Sequence, residues 1–128
     1  MPQTHFNWCI DTSNYINDKN SDKMPLKDFI RVVIPKLNEY RKYEWETLKT
    51  RPPKHCHNCS DLQSKKSEEA KKILHRVKNI NDNLDGGYIE LSDIFQIPID
   101  QTTRCFGYVL RGIFHIIFID TKHKVYKE

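Results

Sequence analysis

The stretch Arg104-Cys105-Phe106-Gly107-Tyr108-Val109-Leu110-Arg111-Gly112-Ile113-Phe114-His115-Ile116-Ile117-Phe118-Ile119-Asp120 decides the fold. It contains two runs of strand length, 104–110 and 113–119, joined by Arg111-Gly112. A two-residue connection ending in glycine is a hairpin signal. The second run is apolar at nearly every position, the pattern of a central strand covered on both faces. A sheet is therefore expected at the C-terminal end, with the rest of the chain arranged against it.

Upstream, Tyr88 to Leu91 has strand character, with an extension across a bend toward Ile99. Pro98 suits a sheet edge or strand end because it lacks a backbone donor. Asp85-Gly86 within 81–87 is a strong breaker. Downstream, Lys124 to Tyr126 is expected to return as a short final strand. Near the start, His5 to Asp11 reads as a strand with Phe6, Trp8 and Ile10 on one face. Residues 11–23, rich in Asn, Asp and Ser, read as a loop.

Two helical stretches lie between. Pro25 suits a first helical turn, and Leu26, Phe29, Ile30, Val33, Leu37 and Tyr40 then recur at three- and four-residue steps. The stripe continues weakly through Trp45 and Leu48. Pro35 removes a donor and crowds the preceding turn, so a kink or break is expected near Ile34. The second helix is expected to start from a capping box at Ser60 to Gln63 and run to about residue 79. Its apolar face is Ala70, Ile73, Leu74 and Val77. The whole chain, 1–128, reads as a single α+β domain: N-terminal helices packed on one face of a small C-terminal antiparallel sheet.

No run approaches the ~20 apolar residues of a membrane span. Met-Pro-Gln-Thr-His lacks the basic and apolar regions of a secretory leader. No membrane partner and a cytoplasmic setting are expected, with cysteines reduced. The formal net charge is +4, unevenly spread. Residues 49–78 carry nine bases against three acids, and 79–103 carry five acids and no base. A polyanion-binding face fits this pattern, and so does a solvated helix surface.

The polar residues His115, Asp120, His123 and Tyr126 gather at and beyond the end of the apolar run. Histidine exchanges protons near neutral pH, and a carboxylate can orient its ring. Arg104, opening the neighbouring strand, could stabilise an anionic transition state. Tyr126 could hydrogen-bond a phosphate or stack on a base. Arg111, Lys122 and Lys124 are the candidate phosphate contacts. Each catalytic candidate also has a structural reading: His115 as a core histidine, Asp120 as a turn cap, Tyr126 as a closing aromatic.

His55-Cys56-His57-Asn58-Cys59 offers half of a zinc pattern, but no second cysteine pair exists. A polar loop with free thiols is preferred, so neither metal nor cofactor is assigned. Cys9 and Cys105 read as small buried hydrophobes.

The order Arg-x-x-Gly, hairpin, apolar strand, then Asp120-Thr-Lys-His123-Lys-Val-Tyr126 resembles the C-terminal end of RelE/ParE-type bacterial toxins. The resemblance covers the last half best and the first half loosely. It implies a compact antiparallel sheet with packed helices. It also implies a metal-independent endoribonuclease acting on RNA or the ribosome, with a cognate antitoxin as partner. Arg104, His123 and Tyr126 match the family's roles best. The long helical N-terminal portion and the His55–Cys59 loop depart from the family pattern. The alternative is a non-catalytic nucleic-acid- or protein-binding module.

Overall fold

A computed structural model describes residues 4–10, 24–84 and 88–126. The loop expected over 11–23 and the Asp85-Gly86 breaker lie outside the described residues. Five strands form one sheet: β1 (Trp8–Ile10), β2 (His57–Asn58), β3 (Ile94–Pro98), β4 (Arg104–Leu110) and β5 (Ile113–Asp120), in spatial order β1-β5-β4-β3-β2. The hairpin is as expected. Arg111 and Gly112 both have positive φ, 56° and 79°, as a turn matched to strand twist requires.

The sheet is mixed rather than wholly antiparallel. β2 to β5 pair antiparallel, but β1 lies parallel to β5 with Cys9 opposite His115. Parallel neighbours cannot be joined by a tight turn, and here all the other elements lie between β1 and β5 in the chain. The register slips between Phe106 and Gly107, so that Ile117 is the extra residue of a bulge. A Cβ on Gly107 would lie 2.5 Å from the His115 carbonyl oxygen and 2.7 Å from the Phe114 ring. Only glycine lets the two strands come this close.

Helices cover both faces, not the single face expected. On one face, α1 (residues 26–39) and α2 (Trp45–Thr50) bury Val33, Leu37, Trp45 and Leu48 against Phe114, Ile116 and Ile119. On the other, α3 (Glu68–Asn83) buries Ala70, Ile73 and Val77 against Phe106, Ile117 and Phe118. This is why β5 is apolar at nearly every position: its alternate side chains enter two different cores.

Pro35 does not break α1. Residues Phe29–Val33 take a π turn, in which the Ile34 N–H bonds the Phe29 carbonyl, and α-helix resumes at Ile34–Glu39. The wider turn absorbs the missing proline donor. The break comes later, where Tyr40–Lys42 tighten to a 3₁₀ turn and Tyr43 becomes extended.

α3 starts after Ser67, whose side chain accepts from the Ala70 N–H at 3.1 Å. The Ser60 capping box does not form; Leu62–Ser64 is a 3₁₀ turn instead. Residues 88–90 are not strand but lead into a 3₁₀ turn (Leu91–Asp93) with its own reciprocal Glu90–Asp93 cap. The expected strand at 124–126 is also absent, because Asp120 holds this segment in a loop.

A cationic cleft at the end of the sheet

A cleft of about 690 Å³ opens where the β3–β4 connection, the loop before β2, the end of α1 and the loop after β5 meet. Lys36, Lys42, Lys54, Arg104, His55 and His123 line it, against the carboxylates of Glu39 and Asp100. Both acids are engaged. Lys36 Nζ lies 3.3 Å from Glu39, and Asp100 Oδ1 accepts from the N–H groups of Thr102 and Thr103 at 3.0 and 2.7 Å. Burial alone would raise the Asp100 carboxyl, but these hydrogen bonds outweigh it and hold its pKa below the ordinary value.

Arg104 is only 3% exposed. Its Nη1 donates to the carbonyls of Asp100 and Thr103, fixing the connection that precedes it. Its Nε has no hydrogen-bond partner, and no carboxylate lies within ion-pair distance among the described residues. Buried charges are ordinarily paired, since an uncompensated one costs several kcal/mol. Here the guanidinium faces a cleft whose remaining charge is also positive.

Two histidines line the same cleft from separate loops. His55 and His123 both have positive φ, 67° and 53°. The left-handed conformation costs a non-glycine residue about 1–2 kcal/mol. Such strain persists where neighbouring structure imposes it. The His55 carbonyl accepts from Gln96 Nε2 at 2.8 Å. The His123 loop is held by Asp120, which is 2% exposed and accepts three backbone N–H groups: Lys122 on Oδ1, and Lys124 and Val125 on Oδ2, at 2.7–3.2 Å.

With this geometry the chain can be placed among known proteins. It belongs to the family described as Uncharacterised protein UU032. That family's sequence model matches residues 4–128. No curated protein and no solved structure matches the chain.

In this UU032 family member, two of the five candidate catalytic residues, Arg104 and His123, meet in the cleft. Asp120 lies beneath it as a loop cap. His115 is five residues back along β5, roughly 16 Å away at strand rise. There its Nδ1 lies 3.1 Å from Cys9 Sγ, and its ring stacks on Tyr108. Tyr126 is in the α3-side core. Its hydroxyl donates to Asp61 Oδ1 at 2.6 Å, and its ring meets His57 and Phe106. Burial, with the Asp61 hydrogen bond, raises its pKa well above the usual tyrosine value. Lys122 and Lys124 are exposed beside His123, whereas Arg111 marks the hairpin tip at the far end of β4 and β5.

His55, Lys36, Lys42 and Lys54 were not among the sequence candidates for this site. In the sequence, His55 stands out only beside its Cys-x2-Cys neighbours. Those cysteines face different layers: Cys56 enters the α1-side core and Cys59 the α3-side core. Burial pushes both thiols up to about 12, against the thiolate a metal needs. His57 Nε2 is engaged by the Gln96 amide at 3.1 Å. Among the described residues, no three His, Cys, Asp or Glu side chains are grouped to hold a metal ion.

Proposed function

We propose that the cleft binds the phosphodiester backbone of RNA, and that His55 and His123 act there as acid and base in a toxin-like, metal-independent cleavage. One observation carries the reading: the buried guanidinium of Arg104, with no carboxylate in ion-pair distance among the described residues, opening into a cleft rimmed by lysines. A phosphate oxygen would supply the missing negative charge beside the guanidinium. One histidine would take the ribose 2′-hydroxyl proton as that oxygen attacks phosphorus. The other would protonate the departing 5′-oxygen, while Arg104 stabilises the extra charge on the phosphorane-like transition state.

The resemblance of Arg104 to Tyr126 to RelE/ParE-type toxins adds weight to RNA as the polyanion. Ribosomal RNA as substrate, a cognate antitoxin and a cytoplasmic setting come with that resemblance. Binding without cleavage is the second reading. It is favoured by the commitment of Asp120 and Tyr126 to structural hydrogen bonds, which removes two residues from catalysis.

Labelled single-stranded RNA, incubated with and without chelator, tests the proposal. Wild-type protein is expected to cleave in both conditions. His123→Asn, which tolerates a left-handed backbone, should bind but not cleave. Salt-dependent binding with no cleavage by wild type establishes the second reading. Absence of binding at low salt rejects both.

A further inference from the structure

Cys9, His115 and Tyr108 form one row across β1, β5 and β4, each the register partner of the next. They lie well along the sheet from the cleft. The Cys9 thiol is 3.1 Å from His115 Nδ1. The Tyr108 ring lies flat on the imidazole, with centroids 4.6 Å apart and planes within 2°. All three are half-buried, so the thiol is not sealed into a core as expected from the sequence. The other cysteines, Cys56, Cys59 and Cys105, are 0–2% exposed.

We propose that Cys9 is a reactive thiol, with His115 as its base and hydroperoxides as its substrate class. A nucleophile within hydrogen-bond reach of a base that a third group orients is the general activated arrangement. Here an aromatic stack from Tyr108 does the orienting in place of a carboxylate. Burial holds the His115 pKa below the ordinary value, against a Leu110 backbone hydrogen bond that favours protonation. The ring is thus neutral near pH 7 and able to accept a proton.

In the reaction, His115 Nδ1 takes the thiol proton as sulfur attacks one peroxide oxygen. The S–O bond forms and the O–O bond breaks. The departing hydroxide takes the proton back from the imidazolium and leaves as water. Sulfur loses two electrons to the peroxide, giving the sulfenic acid Cys9–SOH. Nothing in this step uses the cleft, so it stands independently of RNA binding.

The folded full chain, treated with substoichiometric hydrogen peroxide and trapped with dimedone, tests the proposal by peptide mass spectrometry. Cys9 is expected to carry the label, at least about ten-fold ahead of Cys56, Cys59 and Cys105. His115→Gln should slow Cys9 labelling at pH 7 by about ten-fold or more, since a positioned base typically contributes at least that much. Circular dichroism checks that the variant folds. If it does not, the rate for wild-type Cys9 against the same peptide in urea replaces it, again with a ten-fold advantage expected. Equal labelling of the four cysteines overturns the proposal. So does a folded His115→Gln protein that labels as fast as wild type, or a Cys9 no faster than in the unfolded peptide.

Discussion

Arg104 and Asp120 are register partners across β4 and β5, yet they do not form an ion pair. Asp120 turns to three backbone N–H groups of the following loop, and Arg104 turns to two carbonyls of the preceding connection. Each charge organises one wall of the cleft. The negative one is neutralised by peptide dipoles, and the positive one is left facing the cavity.

Asp120 is therefore expected to matter for stability first. Asp120→Ala leaves three inward N–H groups without their acceptor, which should cost about 3 kcal/mol. The midpoint of urea unfolding measures it. A variant as stable as wild type but inactive on RNA would instead place Asp120 in the chemistry.

His123 should behave in the opposite way. His123→Gly relieves the left-handed strain and is expected to leave stability unchanged or raise it by up to about 1 kcal/mol. Cleavage of RNA should be lost. Thermal unfolding and the cleavage assay together check this, and a strongly destabilised variant would mean that the ring is a packing element.

Gly107→Ala should be among the more damaging single-methyl additions. The new Cβ meets backbone as well as the Phe114 ring, so little can yield. A loss of about 2–3 kcal/mol is expected, at the upper end for overpacking. Calorimetry measures it, and a change below about 0.5 kcal/mol would mean that the bulge can shift.

Stability should also depend on pH through His115. Its folded pKa lies below the unfolded value near 6.5, so the unfolded chain binds more protons below that pH. The His115 contribution is fully present above about pH 6.5 and is lost as pH falls toward the folded pKa. Its titratable neighbours in the row are Cys9 and Tyr108. Unfolding midpoints between pH 7.5 and 5.0 should fall less steeply for His115→Gln than for wild type. Parallel curves would contradict this.

The fold was legible where pattern reflects burial directly. The β4–β5 hairpin, the buried α1 positions Phe29, Val33 and Leu37 and the Ala70–Val77 face follow from apolar spacing and turn chemistry, whereas Leu26 and Ile30, read into the same stripe, are exposed. The second covered face was also encoded, in the nearly all-apolar β5, but the order of elements suggested helices on one side. β2 was missed because two residues carry no periodicity. Its pairing is fixed by β3, not by its own sequence. The site was half legible. Arg104 and His123, which flank the hairpin strands, were among the five candidates read from the sequence. His55 reaches them from nearly fifty residues upstream, through a backbone twist that no local pattern shows. Tyr126 and Asp120 looked functional because polar residues cluster there, but their partners, Asp61 and the loop backbone, become visible only in three dimensions.

The central claim is that the buried Arg104 guanidinium awaits an RNA phosphate. Fluorescence anisotropy of a labelled single-stranded RNA, titrated with wild type and Arg104→Met over a range of salt, tests it most directly. Binding is expected to weaken with salt. The variant should bind at least about ten-fold more weakly, with a log–log salt slope shallower by about 0.7, as one lost phosphate contact predicts. A folded Arg104→Met protein with wild-type affinity and slope would contradict the account.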